Sequence, residues 1–99
     1  MNKIYLLLML SPLKADQTAK GKIIFTQGHY VPDCRVVKHQ ENISGIERTF
    51  RIQDVAGDDD INAVLLSALM ASRDVVINYD LGVTTGCGTE PRLSHVTVY

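Results

Sequence analysis

Within these 99 residues, a single stretch carries the spacing of an amphipathic helix. Apolar residues recur at Ile61, Val64, Leu65, Ala68 and Leu69, an i, i+3, i+4, i+7, i+8 pattern that turns one stripe toward a core. Asp58-Asp59-Asp60 opens the stretch: Asp58 suits an N-cap, and the two acids after it complement the positive end of the helix dipole, with Arg73 near the other end. The remaining regular segments alternate with period two or are short apolar runs between turn formers, so the helix must be an attachment to a β-structure.

Gly21 precedes Lys22-Ile23-Ile24-Phe25-Thr26-Gln27, which predicts a first strand over 22–30, ending before Pro32-Asp33. A second strand, 34–40, puts Cys34 and Val36 on one face and Arg35, Val37 and His39 on the other, and 41–45 turns the chain. The third, 46–53, sets Ile46, Phe50 and Ile52 opposite Glu47, Thr49 and Arg51. Arg48 interrupts its apolar face and is expected at a strand bend rather than at a polar site. Val75-Val76-Ile77-Asn78-Tyr79 makes a fourth strand, 81–92 a long loop, and 93–99 a last strand with Val96 and Val98 on one face. The order β-β-β-α-β-β predicts a mainly β protein with one helix: a five-stranded OB-fold-like Greek-key barrel, whose helix lies between the third and fourth strands. A split α+β sheet would need a second helical segment.

The N-terminus reads as a secretory signal. Met1-Asn2-Lys3 is followed by the apolar run 4–10, then Ser11-Pro12-Leu13-Lys14-Ala15, with the cut expected after Ala15 and a single domain over 16–99. The apolar run is far short of the ~20 residues a membrane helix needs, so no membrane insertion is expected. The competing reading keeps 4–10 as a buried first strand of a cytosolic protein. Removing 1–15 takes Lys3 and Lys14 with it and moves the net charge from −1 to −3, the wrong sign for a nucleic-acid partner. The expected location is periplasmic or secreted.

The strand Gly21-Lys22-Ile23-Ile24-Phe25-Thr26-Gln27, the cysteine opening the second strand, the helix over 61–72 and the Val75-Val76-Ile77-Asn78-Tyr79 strand behind it carry a resemblance over about residues 20–99. In this order of elements the chain resembles the small secreted OB-fold subunits that form the pentameric binding rings of bacterial A-B toxins, of the subtilase-cytotoxin type. It is also similar to small secreted bacterial proteins with a Gly-Cys-Gly loop before the last strand, here Gly86-Cys87-Gly88. The toxin resemblance implies a ring-forming subunit that binds host glycans. The chain has no Trp to match the Trp-rich later segment of those subunits, so no functional residue is carried over.

Cys34 and Cys87 are the only cysteines, and in an exported chain they are expected to form a disulfide. It would close a loop of 54 residues, counting both ends. The rival is a free thiol at Cys34, with Arg35 lowering its pKa or His39 as its base, as in a thiol hydrolase. His29, His39 and His95 show no metal-ligand spacing, and no metal or cofactor is expected. Asp58-Asp59-Asp60 lacks the alternating ligands of a calcium loop. The loop residues Thr84, Thr85, Thr89, Glu90 and Arg92 offer three hydroxyls, a carboxylate and a guanidinium where OB-folds hold ligands, so they are the candidate binding loop for a carbohydrate or a peptide. The bland alternative is a constrained turn that closes the barrel. Leu66 and Met70 broaden the helix stripe and are a candidate homo-oligomer contact, with extra core as the equal alternative. The expectation is a small exported binding module without catalysis.

Overall fold

The computed structural model describes residues 14–53 and 58–99. The apolar run 4–10 lies outside the described residues. Among the described residues six strands and one α-helix follow in order: β1 (Lys14–Gln17), β2 (Gly21–Gln27), β3 (Arg35–Glu41), β4 (Glu47–Ile52), α1 (Asp58–Ala71), β5 (Val75–Leu81) and β6 (Arg92–Val98). A 3-10 turn, Pro32–Cys34, leads into β3.

Five of the strands close a barrel. β2, β3 and β4 form an antiparallel meander, β5 pairs antiparallel with β6, and two short joints complete the ring: Gly21 against Val75, and a parallel contact of Arg51 with Arg92. The result is the expected OB-fold-like barrel with one helix.

The extra strand, β1, is a finding the hydrophobic pattern did not give. Its residues are polar, Lys-Ala-Asp-Gln, and it pairs with the C-terminal half of β5 through Lys14–Leu81 to Gln17–Asn78. β6 occupies one edge of β5, so β1 and β2 share the other, as two halves of one bent strand. Buried Thr18 makes the bend possible. Its N–H donates to Ile77 O at 2.9 Å, while its Oγ1 accepts from Ile77 N at 3.0 Å, so a side chain replaces a main-chain acceptor where the ladder breaks. The cleavage point expected after Ala15 falls inside β1.

Two β-bulges supply the curvature that so small a barrel needs. One places Ile24 outside the ladder between Ile23 and Phe25; the other places an extra residue between Leu93 and His95 opposite Asn78 and Tyr79. The first bulge shifts the facing of β2, so Ile23 points into the core whereas Ile24 and Phe25 are exposed.

The core joins Ile23, Val37, Phe50, Ile52, Val75, Ile77, Tyr79 and Leu93 of the barrel to Leu65 and Ala68 of α1, which closes it from the side of β2 and β6. The helix stripe read from the spacing is the buried one, except that Val64 lies at its exposed margin. The helix ends in a Schellman turn: Arg73 N–H donates to Ala68 O and Ser72 N–H to Leu69 O, with Ser72 at φ 52°. At Gly21 two strands approach closely. A Cβ there would strike Gln40 O and lie 2.7 Å from the His39 ring, so only glycine lets β2 cross this close to β3.

Two expectations about side-chain facing are corrected. Ile46 is exposed, because it precedes β4 and its carbonyl closes the hairpin by accepting from Glu41 N. Arg48 is not at a bend: it sits in unbroken register opposite His39. It belongs to a polar cluster, donating from Nη1 to Glu41 Oε2 at 2.6 Å.

Candidate functional site

Two loops meet at one rim of the barrel: 28–34 between β2 and β3, and 82–91 between β5 and β6. Cys34 and Cys87 are joined there by a disulfide, with Cα atoms 5.3 Å apart, and no described cysteine is free. A bonded Cys34 carries no thiolate. His39, the base that the thiol reading would need, lies fully buried in the barrel with one ring nitrogen, Nε2, 2.8 Å from Val75 O. Burial pushes the His39 pKa below the ordinary histidine value, with the Val75 carbonyl and the Glu41 charge opposing that shift. Its Nδ1 has no hydrogen-bond partner among the described residues.

The candidate loop residues divide into two groups. Thr85, Glu90 and Arg92 build the rim. Thr85 Oγ1 donates to Asp33 O at 2.6 Å, a second tie between the loops beside the disulfide. Glu90 Oε1 accepts from Arg51 Nε at 3.0 Å, and Arg51 Nη1 in turn donates to Cys34 O at 2.6 Å. The carboxyl of Glu90 is held below the ordinary glutamate range by its own backbone N–H first and by Arg51 second. Arg92 stands in β6 rather than in the loop and donates to Gln53 Oε1 and Asp80 Oδ2, each at 2.8 Å. Gly88 has φ 77°, and a Cβ there would collide with the Glu90 carboxylate, so the glycine permits both the turn and the ion pair.

Thr84 and Thr89 form the second group. Both are exposed; Thr84 Oγ1 accepts from Gly86 N at 3.3 Å, which steadies the loop and leaves its hydroxyl proton available. The structure thus offers a ligand hydroxyls from this loop, while its charged groups are taken up in internal pairs.

Sequence reasoning missed the opposite side of the rim. Tyr30 is 94% exposed, and its ring stacks on that of His29 with centroids 5.0 Å apart and planes 22° from parallel. Val31 N–H donates to His29 Nδ1 at 3.0 Å, orienting the imidazole under the phenol ring. Val31 and Phe25 are exposed on the same strand and loop, and Lys38 Nζ lies 5.8 Å from the Phe25 ring centroid. The signal was available: the run Gly28-His29-Tyr30 sits between a strand and Pro32, where two adjacent rings have no core to enter.

The other polar cluster is structural. Glu41 accepts from Ser44 Oγ at 2.7 Å, Arg48 Nη1 at 2.6 Å and Ala19 N at 3.1 Å, and these bonds, led by that of Ser44, hold its carboxyl below the ordinary range. It stitches the turn after β3 to the bend between β1 and β2. Among the described residues no three His, Cys, Asp or Glu side chains converge as a metal site would require, and no helix is long and apolar enough to cross a membrane. No protein-family profile matches the chain, and neither the curated proteins nor the solved structures contain a significant match to it.

Proposed function

We propose that the chain is a small exported binding module, without catalysis, that takes a neutral carbohydrate at the disulfide-joined rim. The observation that carries this reading is the stacked His29–Tyr30 pair, with Tyr30 94% exposed, on a loop tied to the hydroxyl-bearing loop 82–91. An uncovered aromatic face is a platform for the C–H face of a sugar ring, and the fold class holds oligosaccharides at this same pair of loops. The internal pairing of Arg51 with Glu90 and of Arg92 with Asp80 favours a neutral ligand over a charged one, because each of these four groups already holds an opposite charge. The disulfide suits an oxidising compartment, which supports export to the periplasm or the exterior.

The test is a screen of the purified, oxidised protein against an array of immobilised neutral oligosaccharides, repeated with Tyr30→Ala. Binding that falls at least tenfold in the variant, roughly the 1.4 kcal/mol of a single stacked ring, supports the reading. Absence of any sugar binding, or binding indifferent to Tyr30, overturns it.

A further inference from the structure

The outer face of α1 is apolar where a surface helix is ordinarily charged. From Ile61 to Ala71 there is no charged residue, and Asn62 and Ser67 are the only polar ones. Leu65 and Ala68 are buried beneath, yet on the other side Leu66 is 49% and Met70 79% exposed. Beside Met70 runs a groove of about 430 Å³ lined by Ala63, Val64, Ser67, Ala71 and Arg73 of the helix region and Val98 of β6. A helix that is apolar all round belongs in a buried position, and the described residues cover this one on one side only.

We infer that a second copy of this chain covers the face, through an antiparallel α1–α1 contact about a two-fold axis. The case for a second copy rests on the helix being complementary to itself when reversed. With the axis between Leu66 and Ser67, Ala63 faces Met70 of the other copy and Asp60 faces its Arg73. Each pairing recurs by symmetry, as an isologous contact requires. The large Met70 then enters the groove beside the small Ala63, a knob set into a hole. The exposed acid at the start of the helix meets the exposed cation just past its end, so charge and helix dipoles both favour the reversed orientation over a parallel one. Arg73 spends its Nε on Tyr99 O at 2.6 Å, and the guanidinium has further donors for the contact. The rim with Tyr30 is not part of this surface, so the dimer would present two rims.

The experiment is sedimentation velocity of the full chain across a concentration series, with circular dichroism to verify folding of each variant. The expected result is a monomer–dimer equilibrium. Burying and then losing the Met70 side chain is worth roughly tenfold or more in the dissociation constant, so Met70→Lys should give monomer. Asp60→Arg and Arg73→Asp should each weaken self-association, and mixing these two single variants should restore a heterodimer, because both symmetric pairs then regain opposite charge. A folded wild-type protein that stays monomeric at 100 μM, a pentamer, a dimer indifferent to Met70→Lys, or a monomer that instead floats with phosphatidylcholine vesicles in a Met70-dependent way would each overturn the inference. If Met70→Lys does not fold, the charge-swap mixture alone decides, since both its sites are exposed.

Discussion

Removing the disulfide by Cys34→Ala together with Cys87→Ala should be the most damaging change that leaves the core intact. The bond links positions 53 apart in sequence, spanning the β2–β3 and β5–β6 loops and therefore most of the barrel. Loop-closure entropy for a ring of that length is −2.1 − 1.5R ln n, about −14 cal/mol/K, which stabilises the fold by about 4 kcal/mol at 25 °C. For a domain of this size, 1 kcal/mol moves Tm by roughly 4–8 °C, so the midpoint should fall by about 16–32 °C. Against a total stability of about 5–10 kcal/mol, that leaves a protein folded only marginally at room temperature. The assay is thermal and urea unfolding by far-UV circular dichroism, comparing oxidised protein, protein in dithiothreitol and the double alanine variant. The reduced protein and the variant should agree, with unchanged β content at 10 °C. A loss below about 1 kcal/mol would refute the reasoning, because it would mean that the Thr85–Asp33 and Arg51–Cys34 hydrogen bonds hold the loops together without the covalent link.

Three further outcomes follow from particular residues. His39 is buried and its folded pKa is lowered, so folding favours its neutral form; the stability it allows is complete above the unfolded pKa near 6.5 and is lost as pH falls toward the folded value. Urea midpoints should drop between about pH 6.5 and pH 5, above the window in which the lowered pKa values of Glu41 and Glu90 act, and His39→Gln should flatten that drop. Gly21→Ala forces a methyl group onto Gln40 O and the His39 ring and should cost about 1–3 kcal/mol by equilibrium unfolding. Ser72→Gly relieves a left-handed φ of 52° at the helix C-terminus and should raise stability by about 0.5–1 kcal/mol, a gain of several degrees in Tm.

The barrel was legible wherever burial imposed a period. Val37, Phe50, Ile52 and Ile77 alternate or cluster in the strands, and Leu65 and Ala68 mark the helix, because each must reach the same core. β1 was not legible, since a strand of Lys-Ala-Asp-Gln that adds to an open edge is held by main-chain hydrogen bonds and needs no apolar side chain. Arg48 misled for the opposite reason. It lies on an inward face, and its tolerance there depends on Glu41, seven residues away and across a hairpin, a pairing that no local pattern announces. The disulfide followed from the cysteine count, and the loop at 82–91 from its glycines, but the internal pairing of Glu90 and Arg92 depends on strands distant in sequence. Tyr30 escaped notice because it was counted as the tail of a strand that ends at Gln27.

The central claim, that the disulfide-joined rim is where a ligand is held, is tested most directly by following backbone amide resonances of labelled protein during titration with a neutral oligosaccharide. The account predicts shifts concentrated at His29, Tyr30, Thr84 and Thr89, abolished together by Tyr30→Ala, with α1 unmoved. Shifts confined to α1 or to the Glu41–Arg48 cluster, or a response that survives loss of the Tyr30 ring, would contradict it.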